Sequence, residues 1–259
     1  MSSAPRRPWS GPAEAFAVLS VVRVPAAASA RGVLPWAPLV GLVLGALATA
    51  VGWLGGRYAG PLVGAVLAVV VLAALTRGLH LDGLADTADG LGPLRGRERA
   101  LQVMRAGDVG PFGVTALVLT LLLQVACTAA LLSVDGGWLA LPVAVVAARV
   151  AMAGTGLAGT PIAEGSTLGA AVAGTVSRRW LTGSVVVSLA VVVAVVLASG
   201  HGWGRATALV GATALGWLAA GALLRRAEAR LGGVNGDVMG AMGEVTATVT
   251  LLAAAVLVR

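Results

Sequence analysis

Polar and apolar positions alternate along this chain on a scale of whole segments. Seven apolar runs, at about 34–54, 60–76, 111–133, 138–154, 183–200, 205–224 and 238–258, are separated by short polar stretches. Each run is close to the roughly 17–25 residues that a helix needs to cross a bilayer. The pattern predicts an all-α, polytopic membrane protein of about seven transmembrane helices, with six the alternative. Two runs are irregular. The fourth carries Arg149, and the seventh opens on Asp237 and contains Glu244, so either could be a partly buried segment that does not cross fully. Ahead of the first run, residues 1–15 read as a disordered polar end and residues 16–259 as one membrane-embedded domain. Residues 13–30 have the outline of a signal peptide, but Arg23 and Pro25 interrupt the apolar core. A short helix lying in the membrane interface is the better reading.

Composition agrees with the pattern. The chain is 58% hydrophobic and 11% charged, whereas soluble domains are about 25% charged. Its formal charge of +7 comes entirely from arginine and reports topology rather than nucleic-acid binding, since no aromatic-basic motif accompanies it. The single cysteine, Cys127, lies in an apolar run, cannot form an intrachain disulfide and reads as packing.

The acidic residues carry the chemistry. Asp82, Asp86 and Asp89 fall within eight positions of a chain that has eleven acidic residues in all. Their i, i+4, i+7 spacing places them along one face of a helix. Three neighbouring carboxylates repel one another, so the arrangement calls for a cation. Oxygen-only ligands without a Cys or His cluster favour a hard ion such as Mg²⁺, whose shell a substrate phosphate commonly completes. The alternative is a solvated acidic turn. A second acidic stretch, 230–244, contains Asn235, Asp237 and Glu244 among Gly232, Gly236 and Gly240. Asp237 and Glu244 are seven apart and share a helix face, and the glycines read as a stripe for close backbone approach. No strand precedes it and no GK[ST] follows, so it is a weak phosphate-loop candidate.

The segments His80-Leu81-Asp82-Gly83-Leu84-Ala85-Asp86-Thr87-Ala88-Asp89-Gly90-Leu91 and Gly232-Gly233-Val234-Asn235-Gly236-Asp237-Val238-Met239-Gly240-Ala241 together closely resemble the cobalamin synthase family, adenosylcobinamide-GDP ribazoletransferase. The resemblance extends over about 16–258, with Arg23-Val24-Pro25, Pro38-Leu39-Val40-Gly41, Gly110-Pro111-Phe112-Gly113-Val114 and the Pro161 to Gly169 loop in support. After Met104-Arg105 the family often has an Asp-Ser pair where this chain has Ala106-Gly107, so a role for Asp108 does not carry over directly.

The resemblance implies a Mg²⁺-dependent condensation. A hydroxyl of α-ribazole, or of its 5′-phosphate, attacks the phosphorus attached to cobinamide in adenosylcobinamide-GDP, and GMP leaves. An inner or plasma membrane location is expected, and the arginine distribution puts the site on its cytoplasmic side. In this reading Asp82, Asp86 and Asp89 are the metal ligands, His80, Asp89 and Asp237 the catalytic candidates, and Arg149, Asn235 and Glu244 the substrate-binding candidates. His80 reads equally as an interfacial cap, and Arg149 as a residue snorkelling to headgroups. The partners are the two substrates and the bilayer, with no nucleic acid. Two rivals stand. One is another intramembrane transferase on a diphosphate, such as a CDP-alcohol phosphotransferase or a prenyltransferase. The other is a cation-coupled transporter, for which an inverted repeat would be expected.

Arginine counts set the orientation. Fourteen arginines (6, 7, 23, 31, 77, 95, 97, 99, 105, 178, 179, 225, 226 and 230) fall in segments on one side of a seven-span layout, and three (57, 205 and 259) on the other. The positive-inside rule then puts the N-terminus and both acidic stretches in the cytoplasm and the C-terminus outside. Reporter fusions after Arg95 and after Arg259 are expected to report opposite sides; the same side for both would mean that one run does not span.

Overall fold

The computed structural model describes residues 10–24, 29–94 and 96–258, and among them the chain is built from helices with no strand. In order these are α1 (Ser10–Leu19), α2 (Val33–Ala59), α3 (Pro61–Leu75), α4 (Leu79–Leu91), α5 (Arg97–Met104), α6 (Pro111–Leu132), α7 (Ala140–Gly154, entered through a 3₁₀ turn at Gly137–Leu139), α8 (Thr167–Val172), α9 (Arg178–Ala198), α10 (Trp203–Leu231) and α11 (Gly236–Leu257).

Every apolar run is a helix, and the two irregular ones are long enough to cross: Gly137–Gly154 and α11 are among six candidate spans. The run that falls short is the second. Its helix α3 has 15 residues, about 22 Å at 1.5 Å per residue, against a hydrocarbon core of roughly 30 Å. At its end Arg77 (φ 57) and Gly78 (φ 68) turn the chain, and α4 leaves at 88° to α3. Counting the bent pair as one span gives up to seven. The turn lays α4, the helix of the three aspartates, across the end of the bundle.

Small residues set the helix contacts. A Cβ added to Gly41 would meet the Arg149 side chain on α7 at 2.7 Å, and one on Gly52 would meet Ala68 on α3 at 2.8 Å. Helix α11 is the hub, packing against α4, α6, α7 and α10, with Val238, Met239, Ala241, Leu251 and Ala254 fully buried. Helix α9, in contrast, is almost entirely on the outside, with 6% of its span buried. The Trp217 indole N–H of α10 donates to the Ala147 carbonyl of α7 at 3.0 Å, tying the outer helices to the centre.

Two expectations change. Ordered structure starts before residue 16: Ser10–Ala15 belong to α1, and buried Glu14 accepts hydrogen bonds from Ser29 Oγ (2.8 Å) and the Gly32 N–H (2.6 Å). Residues 1–9 of the expected disordered end, with Arg95 and Arg259, lie outside the described residues. The glycine stripe divides as well. Gly232 (φ 81) terminates α10, Gly236 begins α11, and only Gly240 makes the close helix contact, its hypothetical Cβ falling 3.1 Å from His80 Cα on α4.

Asp89 has a structural task. It is 4% exposed, and its Oδ2 and Oδ1 accept the Gly110 N–H at 2.7 Å and the Gly113 N–H at 3.0 Å, capping the start of α6. The first N–H groups of a helix have no partner inside it, so a buried carboxylate there satisfies two of them at once. Asp89→Ala is therefore expected to destabilise the protein in detergent by about 1–3 kcal/mol, and Asp82→Ala, at an exposed position, by less than about 0.5 kcal/mol. Thermal unfolding of the two variants side by side checks this.

Candidate active site

The two acidic motifs meet where α4 crosses α11. A Cβ on Gly83 would fall 2.7 Å from the Asp237 carbonyl oxygen and 2.9 Å from its Cα. The backbones touch there because α4 has a glycine at the crossing, and residues 154 positions apart in sequence come into van der Waals contact. Along α4 burial increases in steps: Asp82 is exposed, Asp86 half-buried and Asp89 buried. Asp237 is half-buried in the first turn of α11.

The carboxylates share an electrostatic field. Asp86 is raised to about 7, first by its partial burial and then by the charges of Asp237, Asp82, Asp89 and Asp108. Four acidic neighbours around one carboxyl mean that its ionised form needs a compensating cation. In their present rotamers no three His, Cys, Asp or Glu side chains among the described residues are close enough to hold a metal ion. The donor chemistry nevertheless fits a hard divalent cation, being made only of carboxylate oxygens. Asn235 organises the start of α11. Its Oδ1 accepts the Val238 N–H at 2.9 Å, and its Nδ2 donates to Asp237 Oδ2 at 2.9 Å, holding that carboxylate.

His80, Arg149 and Glu244 form a separate group beneath the carboxylates. His80 is 2% exposed, and burial, followed by the charge of Arg149, lowers its pKa well below 6.5. Arg149 Nη2 lies 3.4 Å from His80 Nδ1. Guanidinium has only donors, so Nδ1 is the acceptor and the ring proton sits on Nε2, which is buried without a partner. Glu244 lies seven residues deeper along α11 than Asp237, where Gln124 Nε2 donates to it at 2.8 Å and to Thr248 Oγ at 3.0 Å. His80, Arg149, Gln124 and Glu244 line one small internal cavity of about 40 Å³, room for a water or two. Asp237 and Glu244 share a helix but serve different places. Sequence reasoning passed over Gln124, although a lone amide in an apolar span is itself a signal.

A larger cavity of about 320 Å³ opens beside Asp237. Its walls come from α1, α2, α4, α5, α7, α8, α11 and the loop at 164–166 that leads into α8. That loop is fastened to the turn before α11 by backbone pairing: Val234 N–H donates to Pro161 at 2.9 Å and Ala163 N–H to Val234 at 3.0 Å. Arg105 donates to the Glu164 carbonyl, and its guanidinium covers Gly165. None of Arg105, Glu164, Ser166 and Leu168 stood out in the sequence as a site residue, because their types are common and only the fold assembles them.

The family model for cobalamin-5-phosphate synthase matches residues 12–255. A relative from Frankia casuarinae, named adenosylcobinamide-GDP ribazoletransferase, is 40% identical over 227 residues, covering 83% of this chain and 82% of its own. Proteins of the same name from Roseiflexus sp. (35% over 258 residues, 96% and 91% covered) and Pseudomonas savastanoi (40% over 225 residues, 85% and 86% covered) are similar throughout. No solved structure matches the chain. With both acidic motifs at one helix crossing and the match running nearly end to end, this chain belongs to the cobalamin-5-phosphate synthase family.

Proposed function

We propose that the protein transfers the adenosylcobinamide phosphate moiety of adenosylcobinamide-GDP to α-ribazole or its 5′-phosphate, releasing GMP, at the cytoplasmic face of the membrane. The observation that supports this reading is the contact of Gly83 with Asp237, which brings together the two motifs that resemble the family. The names of the relatives supply the substrates.

Asp82 and Asp86, with Asp237 beside them, would hold Mg²⁺, which when bound neutralises the donor's diphosphate and the charge that develops on the leaving phosphate. The remaining work falls to the chain. Asp237, held at Oδ2 by Asn235, receives at Oδ1 the proton of the acceptor hydroxyl as its oxygen bonds to the phosphorus attached to cobinamide. The bond from that phosphorus to the bridging oxygen breaks, and the electron pair leaves with GMP. Asp89 keeps α4 and α6 in place through Gly110 and Gly113 and adds its charge to the field at Asp86. His80, with Nδ1 facing Arg149 and its proton on a buried Nε2, is set to support α4 rather than to take a proton.

Purified protein incubated with adenosylcobinamide-GDP, α-ribazole and Mg²⁺ is expected to yield adenosylcobalamin and GMP, resolved by chromatography; no product would overturn the reading. Asp237→Asn is expected to lower turnover by roughly 10²–10⁴-fold and to change the Mg²⁺ concentration for half-maximal rate. Near-normal turnover with unchanged metal dependence would confine the chemistry to the 80–89 segment.

A further inference from the structure

On α4 the aspartates occupy one side and an open groove the other. At roughly 100° per residue Asp82, Asp86 and Asp89 share a face, and Leu84, Thr87, Ala88 and Leu91 point about the opposite way. These four wall a groove of about 620 Å³ that runs between α6 and α10, over Ala241 and Val245 of α11. The volume is within the range of ligand sites, about 300–1,000 Å³. The transferase chemistry above makes no use of it.

The lining is apolar apart from Thr87, Thr115 and Arg226. Thr115 Oγ1 donates to the Pro111 carbonyl at 2.7 Å and is satisfied within α6. Thr87 is buried, and its hydroxyl has no hydrogen-bond partner among the described residues. Arg226 is exposed, and its Nη2 donates to the Leu91 carbonyl at 3.3 Å, a bond that engages one of the five N–H donors of a guanidinium.

The length of α10 gives the level of this arginine in a bilayer. Its 29 residues span about 43 Å, against a hydrocarbon core of roughly 30 Å. With the exposed Trp203 as anchor at one interface, Arg226 comes 23 residues later, about 34 Å along the axis, at the headgroups of the other side. Away from Arg226 the groove continues into surface that faces lipid. Phe112, Leu119 and Leu122 form one exposed stripe of α6, and Leu215 and Leu218 are exposed on α10.

We infer that the groove holds an anionic phospholipid, with an acyl chain along the leucines and Phe112, an ester carbonyl at Thr87 and the phosphate at Arg226. Charge selects the headgroup. The ends of α5 and α10 on this side carry Arg97, Arg99, Arg225 and Arg230 against Glu98 and Glu228, an excess of positive charge that favours an anionic lipid over a zwitterionic one. A soluble phosphate matches the guanidinium and leaves the apolar wall uncovered. The lipid would pack the back of α4, bracing from behind the helix whose other face presents the aspartates.

Full-length protein in detergent, stripped of lipid, is titrated with phosphatidylglycerol or with phosphatidylcholine of the same chains, and bound lipid is counted by native mass spectrometry. Phosphatidylglycerol is expected to bind more tightly by roughly fivefold or more. Arg226→Gln is expected to erase that preference and Arg226→Lys to retain it. Arg178→Gln, which removes the same charge at the start of α9, is expected to leave it within about twofold of wild type. Ala116→Trp fills the groove and is expected to weaken both lipids by roughly tenfold; Thr115→Trp, at an exposed position, stands in if that variant does not fold. Inorganic phosphate is expected not to displace the lipid. Equal affinity for the two lipids, loss of the preference in Arg178→Gln as full as in Arg226→Gln, or displacement by phosphate would overturn the assignment. Folded Trp variants that bind lipid normally would overturn it too, and a raised KM for adenosylcobinamide-GDP or a lost dimer in them would give the groove to the donor or to a second copy of the chain. The binding measurements need no turnover and so stand apart from the transferase reading.

Discussion

The whole arrangement depends on how closely α4 can lie on α11. Gly83 meets the backbone of Asp237, and Gly240 meets the backbone of His80. A side chain at either glycine would hold the helices apart by the thickness of a methyl group or more, and in a bilayer, where lipid is as apolar as leucine, close backbone contact is a main source of helix association. The same contact sets carboxylates from two helices against each other. Packing energy therefore holds together charges that would separate if left to themselves.

Opposed forces of this kind leave a mark on the titration of the site. Asp86 is raised to about 7 because burial and four acidic neighbours act in one direction. A group whose folded pKa lies above its unfolded value binds more protons when folded, so its contribution to stability is complete at acidic pH and is lost as pH rises toward 7. Near neutrality the site is thus a place where stability is given up for a local excess of negative charge, which a divalent cation and an anionic substrate together would relieve. This matches the general tendency of functional carboxylates to sit in unfavourable company.

The buried group of His80, Arg149, Gln124 and Glu244 has the opposite character. Its members are enclosed, face one another across a cavity of about 40 Å³ and lie beneath the helix that carries the aspartates. Ionisable groups at such depth persist when they find one another. Their position between α4, α6, α7 and α11 makes them a support for the site from below. The cavity of about 320 Å³ lies beside Asp237 and shares His80 with this group, its walls completed by α5, α8 and the loop before α8.

The periodic signals were legible from residue order alone. The apolar runs become helices of 15–29 residues wherever they fall, since a backbone in lipid has no other way to satisfy its N–H and C=O groups. The i, i+4, i+7 spacing put Asp82, Asp86 and Asp89 on a helix, and so it is. Identity of residue type could not say that Asp89 would be taken up in capping α6, that Gly232 would end a helix instead of packing in one, or that α3 would stop at 15 residues and turn by 88°. Those outcomes depend on partners distant in sequence or on one φ angle at a break. Asp237 and Glu244 show the division most clearly: seven residues apart, they share a face in the sequence pattern, yet depth along one helix takes the first to the open site and the second to a buried amide. Spacing determines direction around a helix axis, and only the packing of neighbouring helices decides what is met in that direction.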